Sequence, residues 1–352
     1  MHKIMLLLTS LLLSVLVANQ IFVTFYLRDI DITYDQTTSQ MIYDQELGYI
    51  TSPNDKLVIN GLTYQTDQLS ERIIDQNVTE YSKPTILLIG DSHVWGWGKP
   101  THQTIQFKLN DLLQKNSIDY QVRTISDISY SSFQTYLKFL RDFRNYKSIK
   151  AIIWINGHND SYNNSLIYEH RVSRPTIAFQ HEESPCRYNT PPKRPLYFSR
   201  QRWANESMFS PRFSLSINPF KLELLNFFGN IIEDLTIKDL PVVKCTKEEI
   251  DGDEVVIFLN KLVNGIANKR KAKFLSVFVP NKSLYQQGSS PNFIFTKKLN
   301  QSGITTVDIA SKYANRDVSS IFNTPLNDLD DHLSEETHEL IAEEIFSFLK
   351  LD

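Results

Sequence analysis

Cysteine is scarce in this chain: 352 residues hold two, Cys186 and Cys245. Two thiols cannot staple a disulfide-built miniprotein or furnish a cysteine-rich zinc module. An excess of one charge is also missing. Lys and Arg total 37 against 40 Asp and Glu, a net charge of −3, which offers no basic field for a phosphate backbone and sets nucleic-acid binding aside. No His/Asp/Glu cluster has the spacing of a metal site, and nothing in the motifs calls for a cofactor. There is no internal repeat, no low-complexity tract and only one long apolar run. What is present is an ordinary globular balance, 41% hydrophobic and 22% charged, with ample length for a buried core.

The one long run is Ile4 to Leu27, 24 positions without a charge. As a helix it is long enough to cross a hydrocarbon core of ~30 Å. It exceeds the ~7–15 apolar residues of a cleavable signal peptide, and the small residue Ala18 has bulky Leu16 two positions before it. Residues 1–28 are therefore expected to be an uncleaved transmembrane anchor. Lys3 and the amino terminus orient it so that the rest of the chain lies outside the cytoplasmic membrane. In an oxidising compartment Cys186 and Cys245 could form a bridge; two unrelated buried thiols are the alternative.

Residues 29–83 carry short apolar runs, 47–50 and 56–63, broken by Gly48, Pro53, Asn54 and Gly61. Turn residues between short runs predict strands and hairpins. From Pro84 the texture changes. Thr85–Ile89 is a continuous apolar run, as expected of a strand buried on both faces. Ile105, Leu109, Leu112 and Leu113 follow at helical spacing. Further strands are predicted at 120–125, 151–155, 274–279 and 305–309. Helices are predicted at 132–143, opened by a Ser131/Gln134 capping box, and at 254–268, 293–299 and 334–349. Such alternation implies a parallel sheet covered on both faces. Residues 161–248, rich in proline and holding both cysteines, interrupt it as a large insert or lid.

Sites in open parallel sheets form at the carboxyl ends of strands, and three polar clusters fall there. Gly90-Asp91-Ser92 follows the first buried strand and would expose Ser92 at the sheet edge. Gly157-His158-Asn159-Asp160 follows the strand 151–155. There an Asn amide could donate to a developing oxyanion, and glycine lets backbone approach closely; a plain Asn-Asp turn explains it equally well. The segment Asp328-Leu329-Asp330-Asp331-His332 precedes the last helix. A histidine among carboxylates can serve as a general base. Ser334, Glu335 and Glu336 are accounted for as the cap and first turn of that helix, whereas His332 is not.

In this order the three clusters resemble the SGNH hydrolases, the GDSL-like serine esterases, over about residues 84–349 with the insert excluded. Glu46-Leu47-Gly48-Tyr49 and Pro53-Asn54 look like a leader found in membrane-anchored members. The resemblance implies a flavodoxin-like three-layer α/β domain over 84–352 and an ester hydrolase. It assigns Ser92 as nucleophile, His332 as general base and Asp330 as the orienting carboxylate, with Asp328 in reserve and a backbone carbonyl as a last alternative. The oxyanion would meet the backbone N–H groups of Ser92 and Ser129 and the Asn159 amide, with Gly157 as the close-approach residue. Two departures stand out. Ser129, in Ser129-Tyr130-Ser131-Ser132, occupies a family glycine position, where a positive φ would strain it. Leu329 replaces the usual aspartate three before the histidine.

Around these blocks, His93 and Trp95 are the candidates for touching substrate. Trp97 and Trp154 flank the expected pocket, with core packing the plainer account of the tryptophans. His158 is a weak ligand candidate, and His338, where Thr337 replaces a family glycine, reads as packing. For anchored relatives the resemblance implies acylated or acetylated cell-envelope carbohydrate as substrate. Acyl transfer through the same site, lipid ester hydrolysis and a catalytically retired binding module are the competing functions.

Overall fold

The structure, a computed structural model, describes residues 41–44, 46–59, 61–74, 81–157, 159–165, 168–169, 172–173, 177–181, 184–188, 252–280, 282, 285, 292–322 and 332–350. The anchor expected at 1–28, the cysteine pairing and both candidate carboxylates, Asp328 and Asp330, lie outside the described residues. No helix among the described residues is long and apolar enough to cross a membrane.

Thirteen strands occur among the described residues. Four precede the sheet: β1 (Met41–Asp44), β2 (Gly48–Thr51), β3 (Lys56–Ile59) and β4 (Leu62–Gln65). The sheet itself is built from β5 (Pro84–Gly90), β6 (Gln121–Ser126), β7 (Ser148–Asn156), β12 (Lys273–Phe278) and β13 (Thr305–Asp308). Their order is β13-β12-β7-β5-β6, all parallel. Counted within the sheet this is 2-1-3-4-5, the flavodoxin-like order, whose switch point lies between β5 and β7. The expected α/β class and doubly covered parallel sheet are both found.

The two faces follow from the pleat, since alternate side chains point to opposite sides. On β5, Ile86 and Leu88 enter one core cluster while Leu87 and Ile89 enter the other. On β7, Ile153 and Ile155 go one way and Ile152 and Trp154 the other. The helices Ile105–Lys115 and Glu335–Lys350 pack on the first face, and Ser132–Asp142 and Gly252–Lys269 on the second. Both strands therefore read as unbroken apolar runs. Each fully buried Leu or Ile contributes ~1.5–3 kcal/mol. The capping box at Ser131/Gln134 forms as the sequence predicts, and its helix ends one residue early, passing into a 3₁₀ turn at Phe143–Asn145.

The amino-terminal extension forms two antiparallel hairpins, β1-β2 and β3-β4, as its turn residues predict. Its own small core joins Leu47, Tyr49, Leu57 and Tyr64 to Trp95, Ile128 and Tyr130 of the sheet domain. Four short strands, β8 (Tyr168–Glu169), β9 (Val172–Ser173), β10 (Ile177–His181) and β11 (Ser184–Tyr188), pair as two hairpins inside the predicted insert.

Candidate active site

Gly90 ends β5, level with Ser126 on β6 and Ile155 on β7. A Cβ on Gly90 would sit 2.5 Å from Val94 Cγ2 and 2.6 Å from the Ile155 carbonyl oxygen. Only glycine lets the chain turn there into the short helix Ser92–Trp95. Asp91 caps that helix, its carboxylate accepting from the His93 N–H at 3.0 Å. Ser92 is the first helical residue, where a backbone N–H has no partner within the helix. Its N–H is therefore suited to meeting an oxyanion.

The second cluster closes against the first. Asp160 accepts from the Gly157 N–H at 2.7 Å. A Cβ on Gly157 would lie 2.5 Å from Asn159 Oδ1 and 2.6 Å from Asp91 Oδ2. Steric need at this turn explains the glycine, and it brings the loop after β7 into contact with the loop after β5. Just below, Asn156 donates to Ser276 Oγ, which donates to Asn260 Oδ1, while Asn260 donates back to Asn156 Oδ1. This buried ring of amides and hydroxyl ties the end of β7 to β12 and to the helix Gly252–Lys269.

His332 arrives from the other end of the chain. Its Nε2 stands 3.0 Å from Ser92 Oγ, across 240 positions of sequence. Leu333 bridges to Phe322, and the Ser334 hydroxyl accepts from the Thr337 N–H at 3.1 Å, capping the last helix. A fixed helix start thus delivers the imidazole to the serine. The ring of His93 lies 5.3 Å from that of His332, centroid to centroid. His338, one turn into the helix, is buried. Its Nδ1–H donates to the Gln103 carbonyl at 2.9 Å, and burial, reinforced by Lys99, pulls its pKa down to about 3. It is the packing residue the sequence suggests.

Ser129, in the loop between β6 and the helix Ser132–Asp142, has φ 56°. For a residue with a Cβ this left-handed conformation costs ~1–2 kcal/mol. The loop is gripped from the extension. The Tyr49 hydroxyl donates to the Ile128 carbonyl at 3.0 Å and approaches the Ser129 carbonyl at 3.1 Å. Tyr130 donates to the Tyr49 carbonyl at 2.6 Å. The buried Asp127 accepts from the Thr51 N–H and hydroxyl, with burial raising its pKa.

The tryptophans decide between the two accounts the sequence leaves open, substrate contact and core packing. Trp95 was expected to touch substrate but is wholly buried, its ring 4.7 Å from Tyr64 and beneath the Arg72 guanidinium. The extension covers it, which local sequence around the nucleophile does not disclose. Trp154 is likewise wholly buried in the second core face. Trp97 is half-buried and stacks on Tyr64.

Sequence reasoning missed the charged residues that hold the site. Arg72 Nη1 donates to the carbonyls of Trp95 and Gly96 at 3.1 and 2.7 Å, and Nη2 to that of Lys99 at 2.8 Å. It thereby fixes the far end of the helix Ser92–Trp95, with burial lowering its pKa only to about 10. Arg123 on β6 pairs with Asp67 and Glu71 of the extension, and Tyr146 donates to Glu71. Burial pushes Glu71 up to about 7 against the attraction of Arg123. In sequence these residues look like solvated surface.

A serine hydroxyl, an imidazole, a helix-start N–H and an asparagine turn converge at the switch point of a 2-1-3-4-5 sheet. No protein-family model and no curated protein matches the sequence. Among solved structures the chain is similar to the acetyl xylan esterase AlAXEase at 10% identity and a TM-score of 0.40, covering 75% of this chain and 98% of that one. It is also similar to the psychrotrophic esterase EstA from Pseudoalteromonas sp., at 12% identity and a TM-score of 0.37, covering 76% and 96%. A lipolytic G-D-S-L family member from Veillonella parvula matches at 8% identity and a TM-score of 0.38, covering 76% and 99%.

Proposed function

We propose that this chain is a serine esterase that cleaves carboxylic esters through an acyl-enzyme. The observation that carries the reading is the 3.0 Å approach of His332 Nε2 to Ser92 Oγ at the carboxyl edge of the sheet. His332 takes the Ser92 proton as the oxygen attacks the ester carbonyl. The oxyanion is met by the N–H groups of Ser92 and Ser129 and by the Asn159 amide. Each such donor is typically worth ~2.7–4 kcal/mol of barrier. His332 then returns the proton to the leaving alcohol, and water repeats the sequence on the acyl-enzyme. Asp330, with Asp328 in reserve, orients the imidazole.

The substrate class we infer is O-acetylated carbohydrate of the cell envelope, reached by a domain held outside the membrane through residues 4–27. The uncharged run and the resemblance to anchored esterases support this reading. A fluorophosphonate probe tests the activated nucleophile: wild type labels and Ser92→Ala does not. A folded wild-type protein that stays unlabelled overturns the enzyme reading. Acetate release from isolated envelope polymers, compared between wild type and Ser92→Ala, tests the substrate class; equal release by both removes it.

A further inference from the structure

We propose that Tyr49, in the amino-terminal extension, is the positioning residue that lets Ser129 act as an oxyanion donor; the inference rests on the esterase reading above. A serine at this point in the loop must hold φ at 56°, where a glycine would sit without strain. Left alone, the serine relaxes to negative φ, which rotates the peptide plane and turns its N–H away. Tyr49 opposes that relaxation. Its hydroxyl lies 3.0 Å from the Ile128 carbonyl and 3.1 Å from the Ser129 carbonyl, pinning the two peptide oxygens that bracket the strained residue. The phenol is 1% exposed, so water does not compete for those carbonyls.

Tyr49 is itself held. Its carbonyl accepts from Tyr130 at 2.6 Å, and the two rings meet edge to face with centroids 5.4 Å apart. Thr51, two residues on, ties the same strand to Asp127 at the start of the loop. Gln134 donates to the Leu47 carbonyl at 2.8 Å, anchoring the strand's other end to the helix that follows Ser129. The hairpin is thus clamped on both sides of the strained residue, with the Tyr49 hydroxyl placed between.

The test is a double-mutant cycle on ester turnover with p-nitrophenyl acetate, normalised to active sites titrated by the fluorophosphonate. Tyr49→Phe keeps the ring and removes only the hydroxyl. It is expected to lower kcat and kcat/KM together by roughly 10–100-fold, the scale of a misplaced catalytic group. KM and the end-point labelling stoichiometry stay at wild-type values. On a Ser129→Gly background the same change is expected to cost only about two- to threefold, because glycine populates positive and negative φ about equally. The proposal fails if Tyr49→Phe costs less than about threefold, or if it costs the same on both backgrounds. Full activity of Ser92→Ala would instead sink the esterase reading itself.

Discussion

The sheet domain and the amino-terminal extension meet at one site but are held by different forces. The sheet domain relies on apolar burial over two faces, and its strands β5 and β7 are buried almost throughout. The extension has a core of only a few side chains and is stitched down by buried polar links: Arg72 to three carbonyls, Thr51 to Asp127, and Asp67 and Glu71 to Arg123. The sheet domain carries Ser92 and, before its last helix, His332, the pair proposed to react. The extension fixes the Ser92 helix and the Ser129 loop from outside. Changes within the sheet domain's site should therefore cost activity with little stability, and changes in the extension should cost both.

Four substitutions probe that division. His332→Ala should cost most, lowering ester turnover by at least ~10⁴-fold while the melting temperature holds, because the ring is only half-buried. Retained turnover would remove the imidazole from the chemistry. Arg72→Met should be the largest effect on the extension side. It leaves the carbonyls of Trp95, Gly96 and Lys99 without their guanidinium, and a buried acceptor left unsatisfied costs ~1–3 kcal/mol. Urea unfolding should show a loss of roughly 3 kcal/mol or more, with turnover falling in the surviving folded protein. If both stay unchanged, the extension does not support the site.

Gly157→Ala comes next and sharpens the sheet-domain side. Its Cβ would press on Asn159 Oδ1 and Asp91 Oδ2, so turnover should fall by roughly 100-fold, the cost of an ~1 Å displacement. Melting within a few degrees of wild type would assign that loss to the site.

The smallest effect tests whether the sheet domain also depends on a titratable group. His338 has its pKa lowered to about 3 by burial, below the ordinary histidine value, so the folded state resists its protonation. The stability it contributes is complete above pH ~6.5 and is lost as pH falls from there towards 3, by at most about 1.4 kcal/mol per pH unit. His338→Asn should lower stability at pH 7.5, since it removes a packed ring, yet flatten the decline between pH 7 and 5. An unchanged slope in urea titrations would show that acid sensitivity lies elsewhere.

Much of the architecture was legible because it rests on short-range pattern. The unbroken runs at 85–89 and 151–155, the Ser131/Gln134 capping box and the turn residues of the hairpins each carry a local physical signal, and each element formed within three residues of expectation. The strand-end glycines were legible for the same reason, as points where the chain must turn tightly against its neighbour. Trp95 was misread because its cover comes from Tyr64 and Arg72, some 23 to 31 positions earlier in sequence. The buried contacts of Tyr49, Arg72 and Asp127 were not legible for the converse reason. A polar side chain in a polar segment looks the same in sequence whether it meets water or a buried carbonyl.

By itself, then, the sequence determined which segments become buried strands, where glycine must sit and which reactive side chains fall at strand ends, since periodicity and local sterics need no distant partner. Only the tertiary structure decided that Ser92 and His332 meet, that a strained serine stands where a glycine would be easy, and that the extension holds the Ser92 helix and the Ser129 loop in place. Those outcomes depend on contacts between segments tens to hundreds of positions apart, and no local pattern encodes which of them close.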